Sequence, residues 1–201
     1  MIPWTDSVRQ SGKLTIYIGA LAGTWAHVFR EALHEFNTLS AGNKLGVTIV
    51  ESKHAPDDKD GANVSVQTAN GPVSATYDND TQSRNLSGGG LHGRTLLFRI
   101  DPPGVLEKAF IFLPSQPLIN TPARQRPAGP GVMKLIAVHE LFHACGLEDG
   151  DHASALFQGN PRPSYGDTPA GDKILIGTGP KAMPPILLDG VTAKNVKDLW
   201  S

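Results

Sequence analysis

Apolar spacing along the chain divides residues 13–147 into strands and two long helices. Residues 13–18 (KLTIYI) alternate apolar and polar positions and are rich in β-branched side chains, which predicts a strand. Residues 24–39 then carry Trp25, Val28, Phe29, Leu33 and Phe36 at helical intervals, with Thr24 at the N-cap. Residues 47–51 (VTIVE) predict a second strand and 63–68 (NVSVQT) a weaker third. Polar and glycine-rich residues fill 70–90, which predicts a loop with room for a short hairpin. Residues 95–100 (TLLFRI) and 109–113 (AFIFL) are two further strands, joined through an Asp101-Pro102-Pro103-Gly104 turn. Five prolines in 114–131 predict an irregular surface connection. It leads into 132–147, a segment apolar on nearly every face and therefore a buried helix. Pro, Gly and Asp then dominate to residue 190, and 191–200 forms a short last helix beginning near Val191 or Thr192.

This order predicts an α+β fold: a twisted mixed β-sheet with two long helices against it and a small irregular C-terminal lobe. The 201 residues suffice for one domain, with an upper lobe over about 1–147 and a loop-rich lower lobe over about 148–201.

Composition narrows the function without naming it. A formal net charge of −1 and a pI near 6.6 offer no basic footprint for nucleic acid or an anionic membrane. No apolar run approaches the roughly 18 residues of a membrane span, and the start, Met1-Ile2-Pro3-Trp4-Thr5-Asp6, has no signal-peptide pattern. Retention in the cell, export by a route without a cleavable signal, and membership of a larger protein are all compatible with this. The single Cys145 forms no internal disulfide and reads as a small buried apolar residue of the second long helix. A monomer with neither nucleic acid nor membrane as partner is the expectation that remains.

The chemistry sits in that helix. His139-Glu140-Leu141-Phe142-His143 is an H-E-x-x-H run. Residues four apart share a helix face, so both imidazoles can reach one metal ion, and Glu140 can hold a water on it. Zinc suits neutral imidazole ligands and lowers the pKa of its bound water to about 7. The competing reading, two core histidines satisfied by backbone carbonyls, gives Glu140 no task on a buried helix, where an unpartnered carboxylate is costly.

Reading onward, the run continues Ala144-Cys145-Gly146-Leu147-Glu148-Asp149-Gly150-Asp151-His152. The whole resembles the extended signature of the metzincin metallopeptidases, H-E-x-x-H-x-x-G-x-x-H, or its snapalysin-like variant with Asp in the last place. The resemblance implies a zincin-like fold and a zinc-dependent endopeptidase acting on a protein or peptide substrate, with Glu140 as general base and zinc on His139, His143 and a third ligand. The family register puts Asp149 in that third place, and His152 follows three residues later in the same turn. Both stay open. The resemblance also implies a methionine turn under the metal, for which Lys181-Ala182-Met183-Pro184-Pro185 is the candidate, and allows Tyr165 to approach the metal or the oxyanion. Either strand 95–100 or strand 109–113 would supply the sheet edge along which a substrate extends.

Two alternatives accompany this reading. A distant aspartate, Asp167 or Asp172, in the third position would resemble the aspzincins. The thermolysin arrangement needs a downstream glutamate, and Glu148 is the last one in the chain. If Asp149 and His152 both bind, four protein ligands close the site, and a non-catalytic zinc-binding or effector module results.

Overall fold

The computed structural model describes residues 1–56, 61–86, 93–120, 125–152, 157–158, 167–168, 171–176, 179–182 and 185–201. In 119–120, 125–126, 157–158, 167–168, 171–176 and 179–182 it describes the backbone alone. The chain opens with helix α1 (Asp6–Ser11), strand β1 (Lys13–Tyr17), helix α2 (Gly23–Asn43) and strands β2 (Thr48–Ser52) and β3 (Val64–Ala69). A hairpin of β4 (Gly71–Tyr77) and β5 (Asp80–Leu86) follows, then β6 (Arg94–Ile100), β7 (Val105–Pro114) and the short pair β8 (Leu118–Asn120) and β9 (Gln125–Pro127). Helix α3 (Pro130–Ala144) carries the H-E-x-x-H run. Beyond it lie β10 (Phe157–Gln158), β11 (Asp167–Thr168), β12 (Gly171–Ile176), β13 (Gly179–Ala182), β14 (Leu187–Leu188) and helix α4 (Gly190–Trp200).

The architecture is α+β around a five-stranded mixed sheet of order β2-β1-β3-β7-β6. β1, β2, β3 and β7 run parallel, and β6 runs antiparallel to β7 at the outer edge. Strand alternation splits β7 between two cores. Ile111 and Leu113 face α2 and α3 in the main core, whereas Phe110 and Phe112 face the opposite side with Leu96 and Phe98 of β6. The second side is covered by the β4–β5 hairpin, through Val73, Ala75, Tyr77 and Leu86. On the first side the two long helices meet at Phe36 and Phe142, whose ring centroids lie 4.9 Å apart.

Several boundaries differ from the sequence reading, each for a local reason. The expected loop over 70–90 contains a seven-plus-seven-residue hairpin, closed by Asp78 and Asn79 with φ of 44° and 66°. Two adjacent positive-φ residues make the tight two-residue turn that matches strand twist. Helix α2 starts at Gly23 rather than at a Thr24 cap, with Ala22 in the cap position and no side-chain cap bond. It runs on to Asn43, four residues past the expected end. The 114–131 connection includes the β8–β9 pair, and α3 begins at Pro130, where proline's missing N–H costs nothing. Helix α4 is capped by Asp189, whose carboxylate accepts from the amides of Val191 and Thr192. Val196, Leu199 and Trp200 of α4 sink into the main core beside α3.

The end of α3 is tied from both ends of the chain. Its Ala144 carbonyl accepts from the indole of Trp4 at 2.9 Å, and the Cys145 carbonyl from the indole of Trp200 at 3.1 Å. Gly146 then turns the chain with φ of 107° while its carbonyl accepts from the Ile2 amide at 2.9 Å. Residues 2–5 continue past this point to pair with Leu106 at the start of β7. A Cβ at Gly146 would collide with the Ile2 carbonyl oxygen and crowd the Leu199 side chain. Gly146→Ala therefore combines a left-handed backbone with a steric clash. It should cost about 2–4 kcal/mol in denaturant unfolding; a loss below about 0.5 kcal/mol would mean that the turn relaxes freely.

Candidate metal centre

Helix α3 delivers three polar groups, His139, Glu140 and His143, into a cleft of about 790 Å³. His139 and His143 are one turn apart, and their Nε2 atoms lie 3.0 Å from each other. Two nitrogens bound to one tetrahedral zinc at about 2.1 Å would be roughly 3.4 Å apart, so little movement separates this pair from ligand geometry. His152, returned by the turn after Gly146, completes the group: the ligand nitrogens of His139, His143 and His152 all lie within 4.8 Å of one another. The rings stand 4.8–5.3 Å apart at their centroids and are tilted by 59–80°, so they converge from three directions instead of stacking.

A backbone contact sets the tautomer of His143. Its Nδ1 lies 2.8 Å from the Leu147 carbonyl oxygen, an acceptor only, so Nδ1 carries the proton and Nε2 keeps its lone pair for the metal. Burial lowers the pKa of this imidazole, which favours the neutral form that a metal requires.

Glu140 is 2 % exposed and faces the cleft. The Thr95 hydroxyl of β6 donates to its Oε2 at 2.7 Å. Gly93, just before β6, leaves the room for this side chain: a Cβ there would stand 2.6 Å from Glu140 Cγ and 2.9 Å from the Phe112 carbonyl oxygen. Burial pushes the carboxyl up to about 7, against the opposing pull of the Thr95 hydrogen bond and of the Arg94 charge. Thr95 and Gly93 are the positions around this carboxyl that the sequence reading missed. Nothing local marks them, because their role arises only when β6 is laid beside α3.

Asp149 occupies the rim. Its side chain is 93 % exposed, with Oδ1 3.8 Å from His143 Nε2. Of the two candidates for a third ligand, His152 is thus the one brought into the cluster. Tyr165 and Met183 lie outside the described residues. Asp167 and Asp172 fall in β11 and β12, where only the backbone is described. Cys145 is fully buried at the helix end, and burial pushes its thiol well above the usual range. Among the described residues, no helix is long and apolar enough to cross a membrane.

No protein-family model matches the chain, and no curated protein matches it in sequence.

The buried carboxyl has a measurable consequence in metal-free protein. In the folded state Glu140 keeps its proton up to about pH 7, whereas in the unfolded chain it ionises near the ordinary 4.5. The folded state therefore binds the extra proton, and its contribution to stability is present below 4.5 and falls as pH rises towards 7. The limiting slope is about 1.4 kcal/mol per pH unit. Glu140→Gln removes this dependence. In the presence of chelator, the variant should gain roughly 2–3 kcal/mol on the wild type between pH 5 and pH 7; parallel stability profiles would show that the carboxyl ionises freely on folding.

Proposed function

We propose that this chain is a zinc-dependent endopeptidase with a zincin-like fold and a metzincin-like active helix. The observation that carries the proposal is the convergence of His139, His143 and His152 beside a buried, hydrogen-bonded Glu140. Three imidazoles leave a fourth tetrahedral position for water or substrate, the mark of a catalytic site as opposed to a structural one. Bound there, zinc supplies a Lewis acid that brings a water to a pKa of about 7 and stabilises negative charge on a carbonyl oxygen.

The side chains perform the remaining work. Glu140 removes a proton from the attacking water at a carboxylate oxygen and later delivers it to the leaving amine nitrogen. The Thr95 hydroxyl restrains its rotation. The Leu147 carbonyl keeps His143 in the tautomer that offers Nε2. Substrate lies extended along β6, since β7 is enclosed between β3 and β6. The Leu97 carbonyl on that edge already accepts from the Gln82 side-chain amide at 2.9 Å. By the two-residue alternation of a strand, Thr95 presents the next outward backbone groups, immediately beside Glu140.

A closed site with Asp149 as a fourth ligand is the competing reading, supported by the 3.8 Å approach to His143 and opposed by the carboxylate's exposure. The readings separate on metal content and turnover. Glu140→Gln should retain zinc while hydrolysis of a denatured protein substrate falls by about 10³; full activity in that variant would sink the peptidase assignment. His152→Ala should weaken zinc binding by about a hundredfold or more, and Asp149→Ala by much less. The reverse ranking would favour the closed site.

A further inference from the structure

The walls of the cleft differ in charge. Beyond the metal cluster, the α3 side carries Glu148 and Asp149. The opposite wall, formed by β5 and β6, carries Arg84, Arg94 and Arg99 and, among the described residues, no acidic side chain. Arg99 is engaged, its Nε lying 3.3 Å from Asp101. Arg84 and Arg94 have no acidic partner among the described residues, and Arg84 donates only to the neighbouring Ser83 carbonyl.

Strand register explains how both reach the same cleft. Arg84 sits directly across from Val73, which packs against β6 and β7, so both belong to the hairpin face turned towards the sheet. Gln82 shares that face and reaches the Leu97 carbonyl, which holds β5 along the β6 edge. Arg94 opens β6, one residue before Thr95, and its charge reaches both Glu140 and His143. Two guanidinium groups from separate elements therefore line the edge along which a peptide would lie. An exposed arginine without an anion partner, beside a desolvated site, is suited to bidentate binding of a carboxylate.

We infer that Arg94, assisted by Arg84, forms a carboxylate-binding subsite beside the metal cluster, so that the preferred peptides carry an acidic group next to the scissile bond. The inference rests on the peptidase reading for its substrate class. An Asp or Glu side chain and a free C-terminal carboxylate offer the same chemistry and differ in where the chain must end.

The test measures binding separately from turnover. Zinc-loaded Glu140→Gln protein is titrated with fluorescein-labelled alanine-leucine hexapeptide amides in which Asp is walked through each position, each paired with its Asn counterpart. A further peptide is offered with a free or an amidated C-terminus. At one position Asp should bind about tenfold more tightly than Asn, the preference weakening with salt. Adding Arg94→Ala should collapse that ratio to below about twofold, Arg94→Lys should retain part of it, and Arg84→Ala should reduce it. A preference confined to the free C-terminus assigns the subsite to a terminal carboxylate; one confined to internal Asp assigns it to a side chain. Equal binding of every pair, no binding of any peptide, or a ratio untouched by Arg94→Ala overturns the inference. Wild-type protein run on the same peptides separates the two readings. Cleavage without acidic preference removes the subsite and keeps the peptidase, whereas acid-selective binding without zinc-dependent cleavage does the opposite.

Discussion

The way α3 is stopped is the constraint on which the site depends. A helix that ends inside a protein leaves its last carbonyls without intrahelical partners, and each buried orphan costs about 1–3 kcal/mol. Here the Trp4 and Trp200 indoles satisfy Ala144 and Cys145, and the Ile2 amide satisfies Gly146. The donors come from opposite ends of the chain, so the helix terminus is fixed only when the whole fold closes. With the end fixed, Gly146 redirects the backbone so that Leu147 accepts from His143 and residues 148–152 return His152 to the cluster. The convergence of the three imidazoles is thus a consequence of helix termination, and the third is positioned by a turn, not by helical spacing.

Desolvation acts on the cluster in one direction. It raises the Glu140 carboxyl to about 7 and lowers the His143 imidazole, so the metal-free site favours neutral groups on both. A neutral site can be buried without large cost before any metal arrives, which agrees with side chains already converging. A dication entering the cluster would reverse the balance for Glu140, favouring its ionised form and releasing a proton. On the proposed peptidase reading, folding and catalysis would then require different charge states of the same carboxyl, and metal binding would convert one into the other.

The strongly periodic elements were legible from sequence because their apolar positions decide them. α2, α3, β1, β3 and β6 lie within a few residues of expectation, as does the pair of histidines one turn apart. The hairpin was not legible by apolar pattern, since β4 and β5 bury little beyond Val73 and Leu86. Its readable signal was the Asp78-Asn79 pair, two residues that tolerate positive φ between short alternating stretches. The third imidazole was legible only as one of two candidates, Asp149 and His152. Family spacing points to Asp149, but after Gly146 the chain no longer follows a fixed period, and only the returning turn distinguishes a rim carboxylate from an inward histidine. Thr95 had no signal at all, because its partner lies 45 residues away across the α3–β6 contact.

β6 carries more of the site than its length implies, and strand register is why. Its alternate residues face two environments: Leu96 and Phe98 anchor the hairpin, while Thr95 and Leu97 line the cleft. A slip of one residue would turn Thr95 towards the hairpin and put Leu96 against Glu140, leaving the carboxyl buried without its hydroxyl donor. The pairing of Thr95 with Ile111 and of Leu96 with Phe110 guards against this, because Ile111 belongs to the helix-side core and Phe110 to the hairpin side. Each cross-strand pair is therefore matched in environment, and a slipped register would expose one apolar face while burying a polar one. The second core beneath the hairpin, though remote from the histidine cluster, is what keeps Glu140 and its hydroxyl partner in register.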